Sequence, residues 1–120
     1  MTVNPRHHLA AASAGAISAN VVPHLAHGVT GKAFPTPFAD PPGVGDSSPV
    51  LNVVWAGMNA GAVAAVVFAQ RRRVPTPAFA ISYAVGAAVA ALGLRSYFGR
   101  VRQTPMTART HPTTSARRPG

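Results

Sequence analysis

The chain lacks cysteine altogether and carries only two acidic residues, Asp40 and Asp46. Without cysteine there is no disulfide scaffold, no thiolate metal site and no cysteine nucleophile. With two acids in 120 residues, a paired-carboxylate hydrolase or a carboxylate-rich magnesium site is close to excluded. Charge of any sign is scarce: 11% of residues are charged, against about 25% in an ordinary soluble protein. What charge there is runs one way, with 11 Lys+Arg giving a formal net charge of +9. Against these shortages stand 48% hydrophobic residues, 12 prolines and 11 glycines.

The cations are segregated. Arg71, Arg72 and Arg73 form one run, and Arg95, Arg100, Arg102, Arg109, Arg117 and Arg118 cluster towards the C-terminus, leaving residues 50–69 and 74–94 free of charge. A helix that buries one face of a soluble domain keeps a polar face opposite, and neither stretch has one. At about 1.5 Å rise per residue, roughly 20 residues cross a hydrocarbon core about 30 Å thick. Residues 49–70 and 77–98 meet that length, and each begins with a capping residue followed by proline, Ser48-Pro49 and Thr76-Pro77. Both are expected to be transmembrane helices, because so short a chain could hardly cover two all-apolar helices with protein.

A third apolar segment, residues 9–22, is too short to span as it stands. It spans if the helix continues through Pro23 to Gly28, which membrane helices tolerate when neighbours satisfy the freed carbonyl. The rival reading is a cleaved signal peptide with Arg6 in its basic region and a small-residue site near Ala16-Ile17-Ser18. Its core would be mostly Ala and Gly, so a retained helix is favoured. Pro35, Pro37, Pro41 and Pro42 then interleave with Gly28, Gly31, Gly43 and Gly45, which predicts a loop. Beyond Arg102 the chain is largely Thr, Pro, Ser and Arg with almost nothing to bury, and disorder is expected.

The fold expectation is therefore all-α: a small multi-pass membrane protein of three helices, with the third forming a hairpin on the second. Its sections are a first segment and helix (1–28), a Pro/Gly-rich extramembrane loop (29–48), a helical hairpin (49–98) and a disordered basic tail (99–120).

The motifs Asn20-x-x-Pro23-His24-x-x-His27-Gly28, Phe34-Pro35-Thr36-Pro37-Phe38, Pro41-Pro42-Gly43 and Ser47-Ser48-Pro49-x-x-Asn52-x-x-Trp55 together resemble a family of small bacterial membrane proteins common in actinobacteria. The resemblance covers about the first half of the chain. It implies an integral protein of the cell membrane and brings no activity with it.

Candidate functional residues are few. Asn20, His24 and His27 are spaced four and then three apart, on one helical face. Two imidazoles there could bind a metal or haem or relay protons, or could hydrogen-bond loop carbonyls and lock the loop to the helix end. Further ligands are missing from any metal spacing, so no metal and no cofactor is assigned. His7 and His8 are given no role. Asn52 and Asn59 share a face of the second helix, where an amide in hydrocarbon needs a partner. Interhelical hydrogen bonding is the plainer use, and a polar lining for a solute path the sharper one.

Gly57, Gly61, Ala65 and Ala69 form a small-residue ladder about 160° from that amide face, at 100° per residue. Matching stripes are Ala11, Gly15 and Ala19 in the first helix and Ser82, Gly86 and Ala90 in the third. Such ladders let helix backbones approach closely, within one chain or in a homo-oligomer. With an amide face and a glycine face both to satisfy, the second helix is expected at the centre.

Charge chooses the orientation poorly: Arg6 and the triplet lie on one side, and Lys32, Arg95, Arg100, Arg102 and Arg109 on the other. The tail arginines are expected to meet anionic lipid. They lack the interleaved aromatics of a single-strand binder, so nucleic acid is not expected. No residue set supports catalysis. The leading expectation is a structural or accessory membrane protein acting through helix packing and contacts with a membrane partner or a second copy. The alternatives are an oligomeric solute or proton pathway lined by Asn and His and, further off, a haem- or metal-binding protein.

Overall fold

In the computed structural model, residues 4–107 are described, with side chains through residue 102. Three helices account for most of them: α1 (Pro5–Val29), α2 (Pro49–Ala69) and α3 (Pro77–Thr107). Their starts follow one local rule. Asn4, Ser48 and Thr76 each turn a side-chain oxygen back onto an early backbone N–H, accepting from Arg6, Leu51 and Phe79 respectively. A proline follows each cap, where its missing N–H costs nothing. All three helices are long and apolar enough to cross a membrane: Pro5–Val29, Pro49–Ala69 and Pro77–Arg102.

α1 runs unbroken through Pro23. Proline there has no N–H to give the Ala19 carbonyl, yet the helix continues to Val29. α3 is longer than the hydropathy suggests. Residues 99–107, expected in the disordered tail, continue the helix; the remainder of that expected tail, 108–120, lies outside the described residues.

The central element is α1, not α2. α1 packs against both other helices, while α2 and α3 scarcely touch. The expected α2–α3 hairpin is thus a connection in sequence and not a packed pair. The physical reason lies in side-chain bulk. Much of α1 is Ala, Gly and Ser, so it is thin enough for a neighbour on either side.

Against α3 the contact is backbone to backbone. A Cβ placed on Gly15 would overlap the Tyr83 carbonyl oxygen, and one on Gly86 would overlap the Ala12 carbonyl. Ala11 and Ala14 are fully buried along the same seam. Against α2, Gly28 lies under Pro49 and Val53, and a Cβ there would meet both.

The small-residue ladder of α2 has the opposite fate to the one expected of it within the chain. A Cβ on Gly57 or Gly61 would meet nothing within 4 Å, and Ala65 and Ala69 are exposed. The face that α2 turns to α1 is instead the amide face, where Asn52 and Ala56 are buried.

The loop between α1 and α2 is folded. Phe34–Pro35 and Asp46–Ser47 pair as two short antiparallel strands, Phe34 opposite Ser47. Within it the Thr36 carbonyl accepts from the N–H groups of Ala39 and Gly43, and the Pro41 carbonyl from Val44 and Gly45. Gly43 takes a positive φ of 70°, the left-handed region that glycine enters without strain. α3 reaches back to hold this loop. Tyr97 donates its hydroxyl to the Gly43 carbonyl at 2.8 Å. Arg102 forms an ion pair with Asp46 at 2.9 Å and donates to the Ala33 carbonyl at 3.2 Å.

Candidate functional site

The loop and all three helices converge on His24. The ring is 2% exposed and stands edge-on to three aromatics: Phe34 of the loop (5.4 Å between centroids), Phe98 of α3 (6.0 Å) and Trp55 of α2 (6.4 Å). Its Nδ1 lies 2.8 Å from the Asn52 side-chain oxygen.

Asn52 fixes the chemistry of that contact. Its amide nitrogen faces three carbonyl oxygens, those of Phe34 (3.0 Å), Ser47 (3.3 Å) and Ser48 (3.0 Å). An NH₂ group has two hydrogens, so at least one is shared. Because only a donor fits among three acceptors, the amide oxygen must be the atom turned to His24. A carbonyl oxygen only accepts, so His24 Nδ1 carries the hydrogen, and in the neutral ring Nε2 is the acceptor. Asn52 is fully buried, and it joins α1, the N-terminus of α2 and both loop strands through one side chain.

His27 sits one turn on. Its Nδ1 donates to the Pro23 carbonyl at 2.6 Å, and its ring stacks on Phe34 with centroids 4.0 Å apart. Phe34 is therefore gripped by both imidazoles, by Phe98 at 4.5 Å and by the Arg102 guanidinium over its face at 5.3 Å. Thr36 and Ser47, both buried, close the loop through a hydroxyl–hydroxyl bond.

Further along α1, Asn20 donates to the Asn59 side-chain oxygen at 3.4 Å, and Asn59 donates to the Trp55 carbonyl at 2.8 Å. The five polar residues singled out in the sequence thus fall into two α1–α2 pairs, His24–Asn52 and Asn20–Asn59, with His27 turned to its own helix and the loop. Of the packing residues, Gly86 lies in the α1–α3 seam, while Gly57, Gly61 and Ala65 face outward.

Two residues given no role in the sequence reading also bridge helices. His7 Nδ1 is 3.0 Å from the Gln70 side-chain oxygen at the end of α2, and His8 Nδ1 is 2.8 Å from Ser82 Oγ in α3. Gln70 and Ser82, polar residues next to otherwise apolar runs, were the available signal. A hydroxyl beside an imidazole is half of a nucleophilic pair, but no carboxylate among the described residues bonds to His8 to orient it.

The arrangement at His24 joins the loop to all three helices. No carboxylate or hydroxyl among the described residues bonds to His24 or His27. No three His, Cys, Asp or Glu side chains among them come close enough together to hold a metal ion. No buried side-chain nitrogen or oxygen among them lacks a hydrogen-bond partner. Comparison with protein-family models, with curated proteins and with solved structures gives no match, so the residues themselves carry the functional reading.

Proposed function

We propose that the chain is a structural or accessory integral membrane protein, in which α1 holds two spanning helices and presents a fixed loop on one side of the bilayer. One observation carries the reading. The intramembrane polar groups that could line a path are spent on packing, Asn52 on three loop carbonyls and His24, and Asn20 on Asn59. A loop held this firmly, with Phe38 and Val44 exposed on it, suits a contact surface for a membrane partner or the headgroup region. Alkaline carbonate extraction tests the membrane placement: the full chain stays in the pellet, and release into the supernatant defeats it.

The solute-pathway reading has one observation in its favour. Where α2 and α3 diverge over α1, a cleft of about 410 Å³ is bordered by Asn20 and Asn59, with Ala16, Ile17, Ala90 and Gly93. Proton and solute flux into proteoliposomes separates the two readings. The accessory reading expects no flux above empty vesicles. Flux that His24→Ala and Asn59→Ala both abolish, with insertion intact, replaces it by the pathway reading.

A further inference from the structure

The opposite end of α1 holds a second polar centre. A crevice of about 420 Å³ opens between the starts of α1 and α3, lined by Asn4, His7, His8, Arg73, Thr76 and Phe79. Its electrostatics are one-sided. Both acids of the chain lie in the loop that packs at the far end of α1. Arg6 and the arginine triplet belong to this end.

The triplet is not uniform. Arg71 turns back to donate to the Phe68 carbonyl at 3.0 Å and lies over the Phe68 ring. Arg72 does not line the crevice, whereas Arg73 does. The Arg73 backbone is fixed by bonds to Gln70 and from Thr76, yet no hydrogen bond or ion pair of its guanidinium is formed among the described residues. An arginine that lines a crevice and has no carboxylate partner among the described residues suits a phosphate, whose oxygens a guanidinium can engage two at a time. His8 adds to this. Its Nδ1 is paired with Ser82 Oγ, so Nε2 is the ring nitrogen left for a ligand, as a donor in the tautomer whose Nδ1 accepts from the hydroxyl. Phe79 is buried beside these groups and supplies an apolar wall.

We propose that this crevice binds a phosphate-bearing anion through Arg73 and His8. The chemistry is shared by the phosphodiester of an anionic phospholipid and by free phosphate. The lipid source rests on the membrane placement proposed above; the anion site does not.

The test uses the full chain in dodecyl maltoside, titrated with phosphatidylglycerol or phosphatidylcholine and read by native mass spectrometry. Wild type retains phosphatidylglycerol in preference. Arg73→Gln weakens that binding about five- to tenfold, the effect of losing one interfacial cation and its hydrogen bonds. Arg72→Gln, the same charge change in the same turn, leaves it within twofold. Far-UV circular dichroism confirms that both variants are folded. Equal losses in the two variants, or no loss in Arg73→Gln, overturn the proposal. A parallel titration with sodium phosphate alone assigns the source. Displacement of the lipid at millimolar phosphate, dependent on Arg73, shows that the free anion suffices, and lipid that resists displacement shows that the acyl chains contribute. Should the membrane placement fail on carbonate extraction, Arg73-dependent phosphate binding still stands or falls by itself.

Discussion

α1 has two seams, and they are made of different materials. Towards α3 the contact is main chain on main chain, with Gly15 and Gly86 letting carbonyls of the opposing helix come within reach. Towards α2 it is side chain to side chain, with His24 on Asn52 and Asn20 on Asn59. The first seam tolerates no added volume at Gly15 and Gly86, and its one polar contact is the His8–Ser82 pair near the start of both helices. The second spends its amides and imidazole on bonds that also fix a loop. Close backbone approach at one seam and side-chain hydrogen bonds at the other, the latter joined by a tight contact of Gly28 on Pro49 and Val53, hold apolar helices together in two ways.

The largest expected effect lies in the tight seam. Gly86→Leu forces α1 and α3 apart. It should cost about 3 kcal/mol or more, since the overlap is with backbone and cannot be relieved by a rotamer. Unfolding by sodium dodecyl sulfate in detergent micelles measures it, and a loss below about 1 kcal/mol would mean that the seam is looser than described.

Asn52→Leu comes next, at roughly 2–3 kcal/mol, because it leaves buried loop carbonyls and His24 without their partner. Its signature is local: amide hydrogen exchange should rise first at residues 34–47. Exchange spread evenly over α1 and α2 would contradict the assignment of Asn52 to the loop.

Asn59→Leu removes the longest of the described cross-helix side-chain bonds. It should cost about 0.6 kcal/mol, the usual size for a polar contact between membrane helices. Asp46→Asn breaks an exposed ion pair whose side chains are 44% and 45% accessible, and its effect should stay within about 1 kcal/mol and shrink in salt. The smallest effect belongs to Gly57→Ala, within about 0.5 kcal/mol in the isolated chain, because nothing faces that position. Energy transfer between labelled copies sharpens this last point. If Gly57→Ile also leaves self-association unchanged, the ladder serves no second copy either.

The helices themselves were legible because their signals are local. Ser48-Pro49 and Thr76-Pro77 mark starts through cap geometry, and uncharged stretches mark helices long and apolar enough to cross a membrane. Which face meets which neighbour was not. The spacing of Gly57, Gly61 and Ala65 shows that a backbone could approach there, but periodicity does not say from which helix, or whether one comes at all. That α1 is the centre was hidden for a related reason. Its apolar stretch has the lowest mean hydropathy of the three, because Arg6, four histidines and Asn20 interrupt it, while its alanines and glycines allow neighbours on two sides. Asn20, His24, Asn52 and Asn59 were recognisable as groups needing partners, and the pairing among them depended on that unseen arrangement. The α3 extension was missed because Gly99 to Thr107 lacks an apolar period. What the extension carries is Arg102, which reaches the loop at Asp46 and Ala33.

The near-absence of contact between α2 and α3 bears on how the molecule is made. Whatever leaves the ribosome after residue 48 finds its docking surface in the segment synthesised before it. A protease cut near Ala16-Ile17-Ser18 would carry away Ala11, Ala14 and Gly15, leaving two later rods with no common support. The leading segment is thereby the template on which the other two helices assemble, and they share no other support among the described residues.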